Sequence, residues 1–390
     1  MLFALEAFLN NTLLVDTNRA AYPIYQALLA SGHDVFVVGG RSTETLAKLS
    51  PNYIPLDYSD AGCLDELVTD RSFDCLVPGC TDLSYTVCAE INRGRYPGID
   101  TPEITWRINN KEQFRQIAAE MGLSVPRVMN PVEASLFPAV IVKPVDAFSG
   151  RGIQVLHDPT PESIDAAIET ARTASASGEV LLEEFVTGQL HSHSAFVRDG
   201  KIVADFFVRE DCSASPFAVD TSCVTEDIPL NMQHELRGQI ERLAEALSLV
   251  DGLVHTQFIA NDGRFWIIEV TRRCPGDIYS LLVELSTGYP YAASYAAPFI
   301  GASAHPVSSD AKRDHIIRHT VTAPEGAMLW GLRFARPVDI RLWVPLATAG
   351  DLLAPSPAGR AAIIFFRAAS AAEQESLYSD LLAGTLYSFE

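Results

Sequence analysis

At 390 residues the chain is too long for one simple core and suits two or three layered α/β units. With 48% hydrophobic and 20% charged residues it has the composition of an ordinary globular protein, which excludes disordered and fibrous classes. The 49 acidic against 29 basic side chains give a formal charge of −20, a field that repels a phosphate backbone and argues against nucleic acid as a partner.

From the N-terminus, short apolar runs alternate with helical patterns up to about residue 105, as a parallel sheet with crossover helices requires. Strands are expected at Phe3–Ala7, Val35–Val38, Tyr53–Pro55 and Cys75–Val77, with a helix over Ala21–Ser31 that Gly32 terminates. The pair Gly39-Gly40 after a strand reads as a tight strand exit, since no G-x-G-x-x-G spacing accompanies it. Asn109-Asn110-Lys111 opens a helix over Glu112–Met121, closed by Gly122 and Pro126.

A second unit starts near Ala139. Strands Val140–Val142, Ile153–Leu156 and Val180–Glu184 surround a helix over Ser163–Ala174. Asp199-Gly200 predicts a hairpin between His193–Val197 and Ile202–Val208, and Asn261-Asp262-Gly263 a second between Thr256–Ala260 and Phe265–Val270. Leu230–Leu249 between them has the three- and four-residue spacing of an amphipathic helix. Beyond residue 305, strands are expected at Ile340–Val344 and Ala361–Phe366 in a small closing subdomain.

Several short segments carry chemistry. Lys143 ends an apolar strand and precedes Pro144, so a stiff exit holds its ammonium in place. Six residues on, Ser149-Gly150-Arg151-Gly152 lacks the bulk that keeps a backbone away from phosphate oxygens, so its amides can donate to them directly. Arg151 adds a charge that serves either the phosphates or the shielding of the site. Glu269 sits among apolar neighbours, where an unpaired carboxylate is costly to bury and a hard cation removes the cost. Arg273 falls on the same strand face as Glu269 and Thr271, placing a planar guanidinium where charge develops in phosphoryl transfer. His191 and His193 share a strand face, with no carboxylate pair or cysteine nearby to complete a zinc site, so packing or a substrate hydrogen bond is their expected role. Cys274 has no base beside it and is expected to be inert.

In their order, Val140–Pro144, Ser149–Ile153, Leu181–Gly188, His255–Phe258 and Ile267–Gly276 resemble the ATP-grasp superfamily of carboxylate–amine ligases. The resemblance implies α/β and α+β architecture: an N-terminal parallel-sheet domain over residues 1–105, an ATP-grasp domain over 106–304, and a C-terminal subdomain over 305–390. It implies Mg²⁺ and ATP as cofactors, with Lys143 and Lys111 on the phosphates and Ser149, Gly150 and Gly152 covering them. Adenine recognition falls to Glu183 and the backbone of Glu184 and Val186. The metal falls to Gln257, Glu269 and Thr271, and Arg273 acts on the γ-phosphate or acyl phosphate. Three positions depart from the pattern: Gln257 replaces an acid, Thr271 an asparagine, and Leu190 the acid that contacts ribose.

The implied reaction activates a carboxylate as its acyl phosphate and joins it to an amine, both small molecules. A ligase acting on a protein or peptide terminus and a non-catalytic ATP-binding module are the alternatives. Seven cysteines without a Cys-x-x-Cys pair suit a reduced, cytoplasmic setting, and no run approaches the roughly 18 to 20 uncharged apolar residues that cross a bilayer. A homodimer is the default assembly.

Overall fold

The computed structural model describes residues 10–147, 150–307 and 313–390. The strand expected at Phe3–Ala7 and the site residue Ser149 lie outside the described residues. The first described strand is Asn11–Val15. The Asn11 amide donates to Asp74 at the strand's exposed end, while Leu13, Leu14 and Val15 are fully buried.

Four parallel strands, in the order Tyr53–Pro55, Asp34–Gly39, Asn11–Val15, Cys75–Pro78, form the N-terminal sheet. Its inner strands are apolar on both faces because helices cover both. The expected helix spans Tyr22–Ala30 and gives way to Gly32 at φ +81°.

Ala139–Pro144 is the centre of a three-stranded antiparallel sheet, between Gln154–His157 and Val180–Glu184. The helix Pro161–Ala174 lays Ile164, Ala167 and Ala171 against Val140, Val142 and Leu182, a core separate from the others.

An eight-stranded antiparallel sheet dominates the rest, ordered Arg264–Thr271, Gly252–Asn261, Gln189–Arg198, Lys201–Asp211, Thr221–Val224, His315–Thr322, Arg360–Ala368, Asp339–Pro345. Both expected hairpins are present, and Asp199 and Gly200 at φ +50° and +73° have the left-handed pair that a two-residue turn needs. Side chains alternate between the two faces with period two. Ala195, Val197, Phe207 and Phe258 pack against Leu236, Ile240 and Leu243 of the helix Leu230–Ala246. Phe196, Phe206 and Leu253 face the other way, toward the helices Tyr279–Thr287 and Tyr291–Ala296 and the N-terminal sheet.

The strands expected near 340–344 and 361–366 exist as Asp339–Pro345 and Arg360–Ala368. Together with His315–Thr322 they prolong the central sheet instead of standing apart, and they share a core with the helix Ala371–Leu382. Among the described residues no helix is long and apolar enough to cross a membrane, and all seven cysteines are free.

Candidate active site

Lys143 is 4% exposed at the end of its strand, where its ammonium meets the Glu183 carboxylate. Strand register places Glu183 on the neighbouring strand opposite Ile141, two residues before Lys143. The other Glu183 oxygen takes the guanidinium of Arg115, which also donates to the Ile268 carbonyl at 2.8 Å. Burial acts to raise the Glu183 carboxyl, but Lys143 and Arg115 outweigh it and hold the group below its usual range. The same burial lowers Lys143, against the opposing pull of Glu183. Glu183 therefore anchors the lysine, and a role at adenine requires one of its two ion pairs to yield. Lys111, at the start of the helix Lys111–Glu120, donates to the Ala147 carbonyl at 3.0 Å, just before the glycine loop.

Gly150 and Gly152 have φ of +72° and +76°. A Cβ on Gly152 would stand 2.5 Å from the Ala174 Cβ and 2.9 Å from the Pro144 ring, so only glycine lets the loop fold onto the end of the lysine strand. The Glu184 amide already donates to Arg127 at 3.0 Å. Any contribution of Glu184 to an adenine edge is then made by its carbonyl, with the Val186 amide two residues on. Gln189 donates to the Glu210 carbonyl at 2.8 Å, so the residue beside Leu190 fastens a strand end.

Gln257 and Glu269 face each other in the second hairpin. The half-buried Glu269 carboxylate has no hydrogen bond or ion pair among the described residues, and its charge acts on Arg273. Gln257 donates to Glu210 at 2.9 Å; Ser192 donates to the same carboxylate at 2.8 Å. Burial raises Glu210 above the usual carboxylate range.

Thr271 is tied to the N-terminal unit. It lies on the expected face, but its hydroxyl donates to Asp82 at 3.2 Å, from the N-terminal unit, and accepts the Arg273 amide at 3.4 Å. Both contacts leave a lone pair on that oxygen, so it can still face a cation. Among the described residues no group of three or more His, Cys, Asp or Glu side chains is placed to hold a metal ion. The donor set that fits a hard cation is one carboxylate, Glu269, with the side-chain oxygens of Gln257 and Thr271, leaving most positions to water and phosphate.

Arg273 is paired with Asp82 at 3.0 Å, not with Asp277 or Glu284. Burial acts to lower its pKa, and Asp82 reverses this to raise it further. Arg272 points the other way, as strand alternation requires, and is buried against Asp100 at 2.7 Å. His255 bonds Ser194 at 2.9 Å, and burial lowers it to about 3. His191 stacks on Phe258 and is lowered by burial to about 4; His193 bonds Asp205 at 2.8 Å and stacks on Phe207. These histidines pack and orient.

Asp82, Arg115 and Glu210 are the site residues that motif spacing did not single out. Arg115 alone left a signal: an arginine between Phe114 and Ile117 on the buried side of an amphipathic helix.

Residues 136–280 match the model of the ATP-grasp domain. Over 205 residues the chain is 28% identical to the carbamoyl phosphate synthase large chain of Neisseria meningitidis serogroup B, covering 50% of this chain and 19% of that protein. Over 139 residues it is 32% identical to a formate-dependent phosphoribosylglycinamide formyltransferase of Synechococcus, covering 33% and 35%. The chain thus spans only a minor part of the length of the curated relatives it matches. Among solved structures, the L-amino acid ligase from Bacillus licheniformis has a TM-score of 0.76 at 15% identity, covering 98% of this chain and 99% of that one. The phosphoribosylglycinamide synthetase from Anaerococcus prevotii has the same TM-score at 17% identity and the same coverage. Parallel-sheet unit, lysine strand, glycine turn and acid-bearing hairpin thus stand together in one fold, and within it residues 136–280 form an ATP-grasp domain.

Proposed function

We propose that the protein is an ADP-forming ligase that joins a carboxylate to an amine. A carboxylate oxygen attacks the γ-phosphorus of ATP and ADP leaves. The amine nitrogen then attacks the acyl carbon, phosphate leaves, and the nitrogen gives up a proton. The observation that carries this is the Glu269 carboxylate, without hydrogen bond or ion pair among the described residues, on the strand that leads to Arg273.

No covalent nucleophile is needed, because positioning and electrostatics supply the catalysis. Lys143, fixed by Glu183, neutralises inner phosphate charge, and the amides around Gly150 and Gly152 close over the phosphates. Lys111 reaches the same phosphates from its helix, and the Glu184 carbonyl and Val186 amide read the adenine edge. Arg273 stabilises the charge on the transferring phosphoryl group. Glu269, with the side-chain oxygens of Gln257 and Thr271, would hold Mg²⁺, which supplies further charge neutralisation for phosphoryl transfer when bound.

Small acids and amines, amino acids among them, are the proposed substrates; the amino acid ligase with the same fold supports this choice. We also propose a cytoplasmic setting, a homodimer, and three working units over 1–105, 106–304 and 305–390. The departures at Gln257, Thr271 and Leu190 favour one other reading, an ATP-binding module without turnover.

Phosphate release from Mg-ATP across pairs of amino acids and small acids tests the proposal. Turnover that needs both an acid and an amine supports it. ATP binding with no ADP from any pair sinks it.

A further inference from the structure

At the carboxyl ends of the N-terminal strands lies a cleft of about 400 Å³. Open α/β sheets place ligands at this end. One wall is Asn18, Arg19 and Ala20 with Cys80 and Thr81; Gly276 and Asp277 form the floor; the opposite wall is Arg360 with Leu346, from the C-terminal strands.

Buried Asp16 builds the first wall. Its carboxylate accepts the Asn18 amide at 2.8 Å and the Cys80 amide at 2.9 Å, tying two strand exits together. Gly79 permits this, since a Cβ there would stand 2.1 Å from the Asp16 Cβ. The cleft adjoins the phosphoryl-transfer machinery at two points. Thr81 caps the helix that begins with Asp82, the partner of Arg273, and Gly276-Asp277 follows three residues after that arginine. The floor is strained, with Asp277 and Ile278 at φ +54° and +58° in succession. A β-branched residue rarely adopts that conformation, and such strain clusters at working sites.

The charge pattern identifies the occupant. Arg19 is half-buried and has no hydrogen bond or ion pair among the described residues. Arg360 lines the same cleft and its charge opposes that of Arg19; the acids that offset Arg19 are Asp277, itself shared by Arg360 at 3.2 Å and Arg318 at 3.9 Å, and Glu44, which lies outside the cleft lining. Two guanidiniums brought together in a protein of net charge −20 leave a cationic cleft in an acidic molecule. An anionic group resolves that repulsion, and the arginine fork suits carboxylate and phosphate alike.

We propose that this cleft holds the acid substrate and that Arg19 and Arg360 grip a second anionic group on it, distinct from the carboxylate that is activated. The inference rests on the ligase reading for the word substrate, but not for the binding site. It gives the C-terminal strands a specific task, the supply of one half of the anion clamp.

Calorimetric titration of the full chain, saturated with Mg²⁺ and a nonhydrolysable ATP analogue, tests it. The probes are aspartate, glutamate and O-phosphoserine, set against asparagine, glutamine and serine. At least one dianionic probe is expected to bind roughly tenfold to a hundredfold more tightly than its neutral counterpart. The carboxylate and phosphate arms show which second anion the clamp takes. Arg19→Gln and Arg360→Gln should each erase that preference while ATP affinity stays unchanged; Arg360→Lys should restore part of it. Because the Arg19 side chain makes no hydrogen bond or ion pair among the described residues, its variant is the one least exposed to misfolding, which a thermal melt checks. Equal affinity for neutral and dianionic probes, no binding by any of them, or a preference that survives Arg19→Gln overturns the proposal. Arginine-dependent binding without turnover leaves it standing and removes the ligase reading instead.

Discussion

Asp82 and Arg273 are 191 positions apart in the chain, yet their carboxylate and guanidinium meet at 3.0 Å. Asp82 also accepts the Thr271 hydroxyl, so one residue of the N-terminal unit fixes the last residue of the strand that carries Glu269 and the arginine just beyond it. An arginine aimed by a distant carboxylate is preorganised, because its orientation is set before substrate arrives. Asp82→Asn should therefore lower kcat by roughly tenfold to a hundredfold, the scale of a misplacement of about 1 Å. KM for ATP should change little. Steady-state kinetics check this, and an unchanged kcat would show that the pair is only structural.

Glu269→Ala should abolish magnesium-dependent ADP release. Because Glu269 makes no hydrogen bond or ion pair among the described residues, stability should move by no more than about 0.5 kcal/mol. Chemical denaturation beside an ADP-release assay separates the two effects. Retained turnover at saturating magnesium would move the metal away from this strand.

Removing the Glu183 charge leaves two cations in a closed interior, since Arg115 and the Lys143 chain are almost fully buried. Glu183→Gln should cost about 3–5 kcal/mol and raise KM for ATP as Lys143 loses its anchor. Urea unfolding of the two proteins measures the cost.

Gly152→Ala should destabilise by about 1–3 kcal/mol, because it adds a clash to a left-handed backbone. Its KM for ATP should rise with the displaced loop, whereas Gly263→Ala, strained at φ +75° but with open space around its Cβ, should leave that KM alone.

Buried His255 and His191 give a pH dependence with a definite sign. Their folded values near 3 and 4 lie below the ordinary 6.5, so the unfolded chain binds protons that the folded chain does not. Stability is full above about pH 6.5 and falls with acidification from there toward pH 4, by up to about 1.4 kcal/mol per pH unit for each histidine. Melting followed from pH 7.5 to 4.5 should show the loss, and His255→Asn should make the slope shallower.

The elements most legible in the sequence were those whose cause is local. Asp199-Gly200 and Asp262-Gly263 fix their hairpins through positive φ, and Tyr53–Pro55 and Val180–Glu184 fall where alternation and turn residues put them. Glu269, Thr271 and Arg273 share a face because strand periodicity requires it. What each of them touches was not legible, because Asp82 sits at a helix start in another unit and Arg115 comes from a third element. The strand His315–Thr322 likewise gains its meaning from pairing with Thr221–Val224 nearly a hundred residues earlier, a register no local pattern encodes. Thr271 shows the limit most clearly: its face was readable, but the acceptor that takes its hydroxyl was not.

The antiparallel ladder runs without interruption from Arg264–Thr271 to Asp339–Pro345, so Glu269 and Arg360 are mounted on one chassis. On the proposed reading, the groups that transfer phosphate and grip the acid should therefore keep their spacing while nucleotide enters and ADP leaves. The three-stranded flap over residues 139–184, with a core of its own and tied to the helix Lys111–Glu120 by the Glu183–Arg115 pair, is the part we expect to respond to nucleotide. Amide exchange that responds to nucleotide should accordingly concentrate in that flap and spare the ladder.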